Sequence, residues 1–86
     1  MKHATAIALK ELAPLLKQLR TRATLREKTP GIFYWCSKAF LHFHEDPAGL
    51  FVDVRLDEDF TRLPVSTEAE REMLLKRIDR FLAEKR

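Results

Sequence analysis

Residues 32–56 read IFYWCSKAFLHFHEDPAGLFVDVRL. Three runs in it, Ile32–Cys36, Ala39–His44 and Leu50–Leu56, are rich in aromatic and β-branched side chains and are separated by turn-forming segments, the signature of a three-stranded antiparallel meander. Asp46-Pro47-Ala48-Gly49 places Asp first, Pro second and Gly fourth, as a type I turn prefers. A connection of that length sets His44 opposite Phe51, Phe43 opposite Val52, His42 opposite Asp53, Leu41 opposite Val54 and Phe40 opposite Arg55. A two-residue Ser37-Lys38 turn, though without the usual Gly or Asn, sets Cys36 opposite Ala39, Trp35 opposite Phe40, Tyr34 opposite Leu41 and Phe33 opposite His42.

Side chains alternate along a strand, so these registers sort the sheet into two faces. One collects Ile32, Tyr34, Cys36, Leu41, Phe43, Leu50, Val52 and Val54, and is expected to be the core. The other collects Phe33, Trp35, Phe40 and Phe51 together with His42, His44, Asp53 and Arg55. An exposed aromatic patch of that size exceeds what monomers ordinarily tolerate, so something is expected to cover it.

Helices flank the meander. Ala8, Leu12, Leu15, Leu16, Leu19 and Ala23 recur at spacings of three and four, an amphipathic stripe that Pro14 must kink or restart by removing a hydrogen bond. Thr24–Lys28 reads as a fraying helix end or a short edge strand, stopped by Thr29-Pro30-Gly31. Beyond the acidic run Asp57-Glu58-Asp59, the residues Phe60, Leu63 and Val65 suit a short edge strand, with Pro64 barring a central one. Thr67 and Glu70 then form a capping box, and Ala69, Met73, Leu74, Ile78, Phe81 and Leu82 form a stripe on a helix from about 68 to 83. The expected fold is α+β in the order α-β-β-β-α, a three- to four-stranded antiparallel sheet with flanking N- and C-terminal helices.

The chain has 86 residues, which sets one domain with one small core. A single cysteine, Cys36, excludes an internal disulfide and a four-thiolate zinc site, and fits a reducing cytoplasm. No segment approaches the ~20 apolar residues of a membrane span, nor the apolar core of a signal peptide. The net charge is +3, unevenly spread: the first 28 residues carry seven basic side chains against two acidic ones, whereas 29–65 are net acidic. Lys17, Arg20, Arg22, Arg26 and Lys28, with Arg55, are therefore the candidate contacts to a polyanion.

Chemistry is sparse. His42-x-His44 on one strand face can offer two imidazoles to a metal, with Asp53 as a third ligand, but an ordinary His42–Asp53 cross-strand hydrogen bond accounts for the same residues. The His–Asp pair also resembles half of a nucleophilic triad, yet Cys36 is expected to face the core and no G-x-S-x-G, H-E-x-x-H or C-x-x-C motif is present. Neither a metal, a cofactor nor a catalytic activity is assigned. Three occupants compete for the aromatic face: a second copy of the chain, a helix, or unpaired bases stacked on the rings with phosphates held by Arg55 and the basic N-terminal segment.

The stretch from Lys28 to Tyr34, continuing through Lys38–His44 into Gly49–Arg55, resembles a group of small bacterial α/β proteins. The strand–turn–strand around Lys38-Ala39-Phe40 is distantly similar to the double-wing YjbR/MmcQ-like family. That resemblance implies a small α/β fold and an inferred DNA-binding role, and carries no functional residue with it. The reading favoured from the residues is a non-enzymatic interaction domain that forms a homodimer through Phe33, Trp35, Phe40, His42, His44, Phe51, Asp53 and Arg55. A nucleic-acid-binding module is the alternative.

Overall fold

Pro14 divides the N-terminal apolar stripe into two helices, α1 (Ala6–Glu11) and α2 (Ala13–Arg20), with Leu12 as the joint at φ −87°, ψ 5°. A proline in the first turn of α2 loses nothing there, because that N–H has no acceptor in a helix anyway. The computed structural model describes residues 2–85. Its other elements among these residues are β1 (Lys2–His3), β2 (Leu25–Thr29), β3 (Ile32–Trp35), β4 (Lys38–Asp46), β5 (Gly49–Val54), β6 (Thr61–Pro64) and α3 (Glu68–Glu84). The class is α+β with an antiparallel sheet, as expected, but the sheet has six strands among the described residues rather than three or four.

Its order is β2-β3-β4-β5-β6, a plain meander, and β1 pairs with the far end of β4 through Lys2↔Glu45 and His3↔His44. The 24–28 segment thus resolves as an edge strand, and the segment around Leu63 forms the opposite edge, where Pro64 can sit last because its missing N–H is not needed. The β4–β5 register is the one the Asp-Pro-Ala-Gly turn dictates, from Leu41↔Val54 to Asp46↔Gly49. Asp46 fixes that turn by accepting the Ala48 N–H through Oδ1 at 2.9 Å.

The β3–β4 register differs from expectation, and the difference reorganises both faces. The turn is Cys36-Ser37, with φ 51° and 68°, so Trp35 pairs with Lys38 and Tyr34 with Ala39. Phe33 then pairs with Leu41, which leaves Phe40 as an extra residue in a bulge. Side chains of adjacent bulge residues fall on one side, so Phe40 and Leu41 both enter the core, at 2% and 1% exposure. Phe33 is fully buried beside them, and Trp35 lies edge-on to Phe81 of α3 with ring centroids 5.0 Å apart.

Phe33, Trp35 and Phe40 are therefore not on the face that carries His42 and Asp53, and the expected aromatic patch does not exist as drawn. Conversely Ile32 and Tyr34 leave the expected core for the opposite face, and Cys36 stands exposed in the turn. The helices supply Leu12, Leu15, Leu16 and Leu19 from the N-terminal side and Leu74 and Ile78 from α3 to one continuous core with Phe33, Leu41, Phe43, Val52 and Val54. Each such buried side chain stabilises the fold by about 1.5–3 kcal/mol. All three helices consequently cover one face of the sheet. Arg22 clamps Asp79 at 2.8–2.9 Å, tying the turn after α2 to α3, and the Thr67–Glu70 capping box starts α3 as expected. No helix among the described residues is long and apolar enough to cross a membrane.

Candidate functional site on the open sheet face

With the helices on one side, strand alternation delivers a set of polar and aromatic side chains to the other. From β4 come His42 and His44, from β5 Phe51 and Asp53, from β6 Arg62, from β1 His3, and from β3 Ile32 and Tyr34. Asp53 is the hub. Arg62 grips it with two parallel bonds, Nε to Oδ1 and Nη2 to Oδ2, both 2.8 Å. His44 Nε2 lies 2.9 Å from Oδ2 and His42 Nε2 3.9 Å from the same oxygen. The cross-strand hydrogen bond expected for His42 is made by His44 instead.

The guanidinium of Arg62 is the main reason that the Asp53 carboxyl titrates below its ordinary value, against the opposing effect of partial burial. The His42 imidazole is shifted down as well, first by burial and then by the neighbouring His44. His44 Nδ1 is buried with no hydrogen-bond partner, so the network selects the tautomer that protonates Nε2 and donates to Asp53. His3 completes a stack of three imidazoles, its ring 5.0 Å from that of His44 and 5.6 Å from that of His42.

Phe60, at the end of the acidic loop, packs edge-on to His42 at 5.0 Å and receives the Arg55 guanidinium on its ring at 4.5 Å. Arg55 Nε is buried without an acceptor. Farther across the face, Arg26 and Lys28 of β2 project beside Tyr34, with Lys28 Nζ 4.4 Å from the ring centroid. Asp46 and Asp53 both act on Arg62, and the acidic Asp57-Glu58-Asp59 loop lines the same groove as Arg55. Arg26, Lys28 and Arg55 form no ion pair among the described residues.

The basic residues read from the sequence therefore separate into two groups. Arg20 is paired bidentately with Glu27 and Arg22 with Asp79, while Lys17 is exposed on α2, on the helical side of the molecule. Arg26, Lys28 and Arg55 share the open face with His42, His44, Phe51 and Asp53. Sequence reasoning missed His3, Phe60 and Arg62. Arg62 faces Asp53 only because β6 pairs Asp53↔Arg62, and that register has no turn motif to announce it. His3 enters through a two-residue strand too short to show alternation.

An open groove of about 920 Å³ borders this face, lined by Trp35, Phe40, Arg55, Asp57, Glu58 and Phe81 among others. Among the described residues, no hydroxyl or thiol hydrogen bonds to His42 or His44. No family model, curated protein or solved structure matches the chain.

Proposed function

We propose that this protein is a small non-enzymatic binding module whose open sheet face takes single-stranded nucleic acid. The observation that supports this reading is the company Arg26, Lys28 and Arg55 keep: three cations that form no ion pair among the described residues, Arg55 beside the acidic 57–59 loop, on the face that also carries Tyr34, Phe51 and Phe60. Rings on a sheet accept unpaired bases irrespective of sequence, and cations beside them hold the phosphates. Lys28 and Arg55 lie over Tyr34 and Phe60, so a cation that can hold a phosphate stands beside each ring and would have to swing off its face for a base to stack there. The same charges disfavour a two-fold sheet-to-sheet dimer whose axis passes near them, where each would meet its own copy. Burial of Phe33 and Phe40 beneath the helices also removes the apolar patch that argues for self-association.

Fluorescence anisotropy of a labelled oligothymidylate and the matching oligouridylate, titrated at several salt concentrations, tests the reading. Binding should weaken linearly on a log–log plot, by a slope of about 0.7 per phosphate neutralised on a single strand. Replacing Arg26 and Lys28 together by Gln should then lower that slope by about 1.4. Absence of binding, or binding indifferent to salt, would refute it. Light scattering in parallel decides the competing case: a stable dimer that dissociates on Phe51→Ala or Tyr34→Ala assigns the face to self-association instead.

A further inference from the structure

We propose that His42, His44 and Asp53 form a binding site for a divalent transition metal of the zinc type. The inference is independent of the nucleic-acid reading, since it rests on donor geometry in β4 and β5 and uses none of the unpaired basic residues. Three features of the site carry it.

First, the donor atoms of the three side chains lie within 4.8 Å of one another, with Asp53 Oδ2 at 2.9 Å from His44 Nε2 and 3.9 Å from His42 Nε2. Ligands about 2.0–2.1 Å from a tetrahedral zinc stand roughly 3.3 Å apart, between those two distances. The two imidazole-to-carboxylate distances need to change by about 0.4–0.6 Å and the widest donor pair, at up to 4.8 Å, by about 1.5 Å; His42, the more exposed of the two imidazoles, can make most of that change by rotating.

Second, the donors sit on the central strands β4 and β5 at adjacent register positions, so backbone pairing rather than a loop holds the constellation. Third, the carboxylate has its outer shell in place. Arg62 fixes the orientation of Asp53 with two bonds while Oδ2 keeps a lone pair directed at the imidazoles, the kind of support that ligating carboxylates require. The metal would take the position of the proton now shared by His44 and Asp53, with three protein ligands and a fourth position for water.

His44 lacks such support: its Nδ1 has no acceptor, a deficiency that costs metal sites about 10–100-fold in affinity. The mixed nitrogen and oxygen donor set, with no thiolate, suits zinc, cobalt or nickel over copper(I). Affinity in the micromolar range is therefore expected, rather than the tighter binding of fully supported structural sites.

The test is calorimetric titration of the full chain with zinc, and the visible spectrum with cobalt. Both are done in a Cys36→Ser background so that the exposed thiol cannot serve as a donor. One equivalent should bind, cobalt should show the intense bands of four-coordination, and Arg62→Gln should weaken binding about 10–100-fold. His42→Ala removes a partly exposed ligand, and circular dichroism verifies that the variant folds; it should weaken binding by more than that again. Failure to saturate at millimolar zinc would overturn the proposal. So would affinity unchanged by His42→Ala, or binding by the wild type that Cys36→Ser abolishes.

Discussion

Replacing Cys36 by Asn and Ser37 by Gly should make this protein more stable. Both residues occupy the left-handed region, at φ 51° and 68°, in the turn between β3 and β4. An L-residue there costs about 1–2 kcal/mol, least for Asn and essentially nothing for Gly. Against this, Gly gives the unfolded chain back about 0.4–1 kcal/mol of entropy. Ser37→Gly should thus gain about 0.5–1 kcal/mol and Cys36→Asn a few tenths more, in a turn type for which Asn-Gly is the preferred pair. Cys36 is exposed, so no packing is sacrificed.

Urea unfolding followed by far-ultraviolet circular dichroism reads the gain as a higher midpoint at unchanged slope. For a chain of this size it corresponds to roughly 4–8 °C in Tm per kcal/mol. The single variant Cys36→Asn discriminates between registers. With a Ser37-Lys38 turn, Cys36 would point into the core opposite Ala39, and an amide there would cost about 1–3 kcal/mol. A destabilised Cys36→Asn would accordingly refute the Cys36-Ser37 turn, the bulge at Phe40 and the face assignment built on them.

The face assignment also predicts that Phe33→Ala costs about 3–5 kcal/mol, as complete truncations in a core do, whereas Phe51→Ala on the half-buried outer face costs much less; thermal unfolding of the pair checks it. Thr67→Ala should lose about 1 kcal/mol in the same assay, because Thr67 Oγ1 accepts the Glu70 N–H that starts α3. The pH dependence has a definite sign. Asp53 titrates lower in the folded chain than in the unfolded one, so its contribution is complete above the unfolded value of about 3.9 and fades as pH falls through the folded one. His42, also shifted down, acts in the same direction nearer its ordinary value of about 6.5. Urea midpoints measured from pH 7 to 2.5 should fall at the acid end in wild type and less steeply in Asp53→Asn; equal steepness would remove Asp53 as the cause.

How much of this could be read from the residues depended on which turns advertise themselves. Asp46-Pro47-Ala48-Gly49 contains the residues its geometry demands, so the pairing of His44 with Phe51 and His42 with Asp53 follows from the chain alone. The α3 start was equally legible, because a capping box is a local arrangement of Thr67 and Glu70 that needs no tertiary partner. Cys36-Ser37 carries no such mark: neither residue prefers positive φ, and the turn forms there because packing of Phe33 and Phe40 under the helices outweighs local preference. The extra strands were partly or wholly hidden for a different reason. β1 spans two residues and β6 four, too short for alternation to emerge, yet they bring His3 and Arg62 to the site.

The bulge at Phe40 links the two halves of this structure. Without it, Phe40 would alternate outward, next to His42, and the cluster around Asp53 would be walled by a large apolar ring instead of bordered by Phe60 from a loop. With it, the aromatic bulk of β3 and β4 goes to the helices, and the outer face is left to side chains that can exchange partners: three imidazoles, a carboxylate and a guanidinium. Because β2 and the β4–β5 pair are separated by β3, the cations Arg26 and Lys28 stand one strand away from the donors His42, His44 and Asp53. Charge removal at Arg26 and Lys28 should therefore change salt-dependent binding while leaving zinc binding intact, and His42→Ala should do the reverse. If each variant instead impaired both, the open face would be one site with a shared ligand, a metal-bridged anion held between the imidazoles and the basic edge.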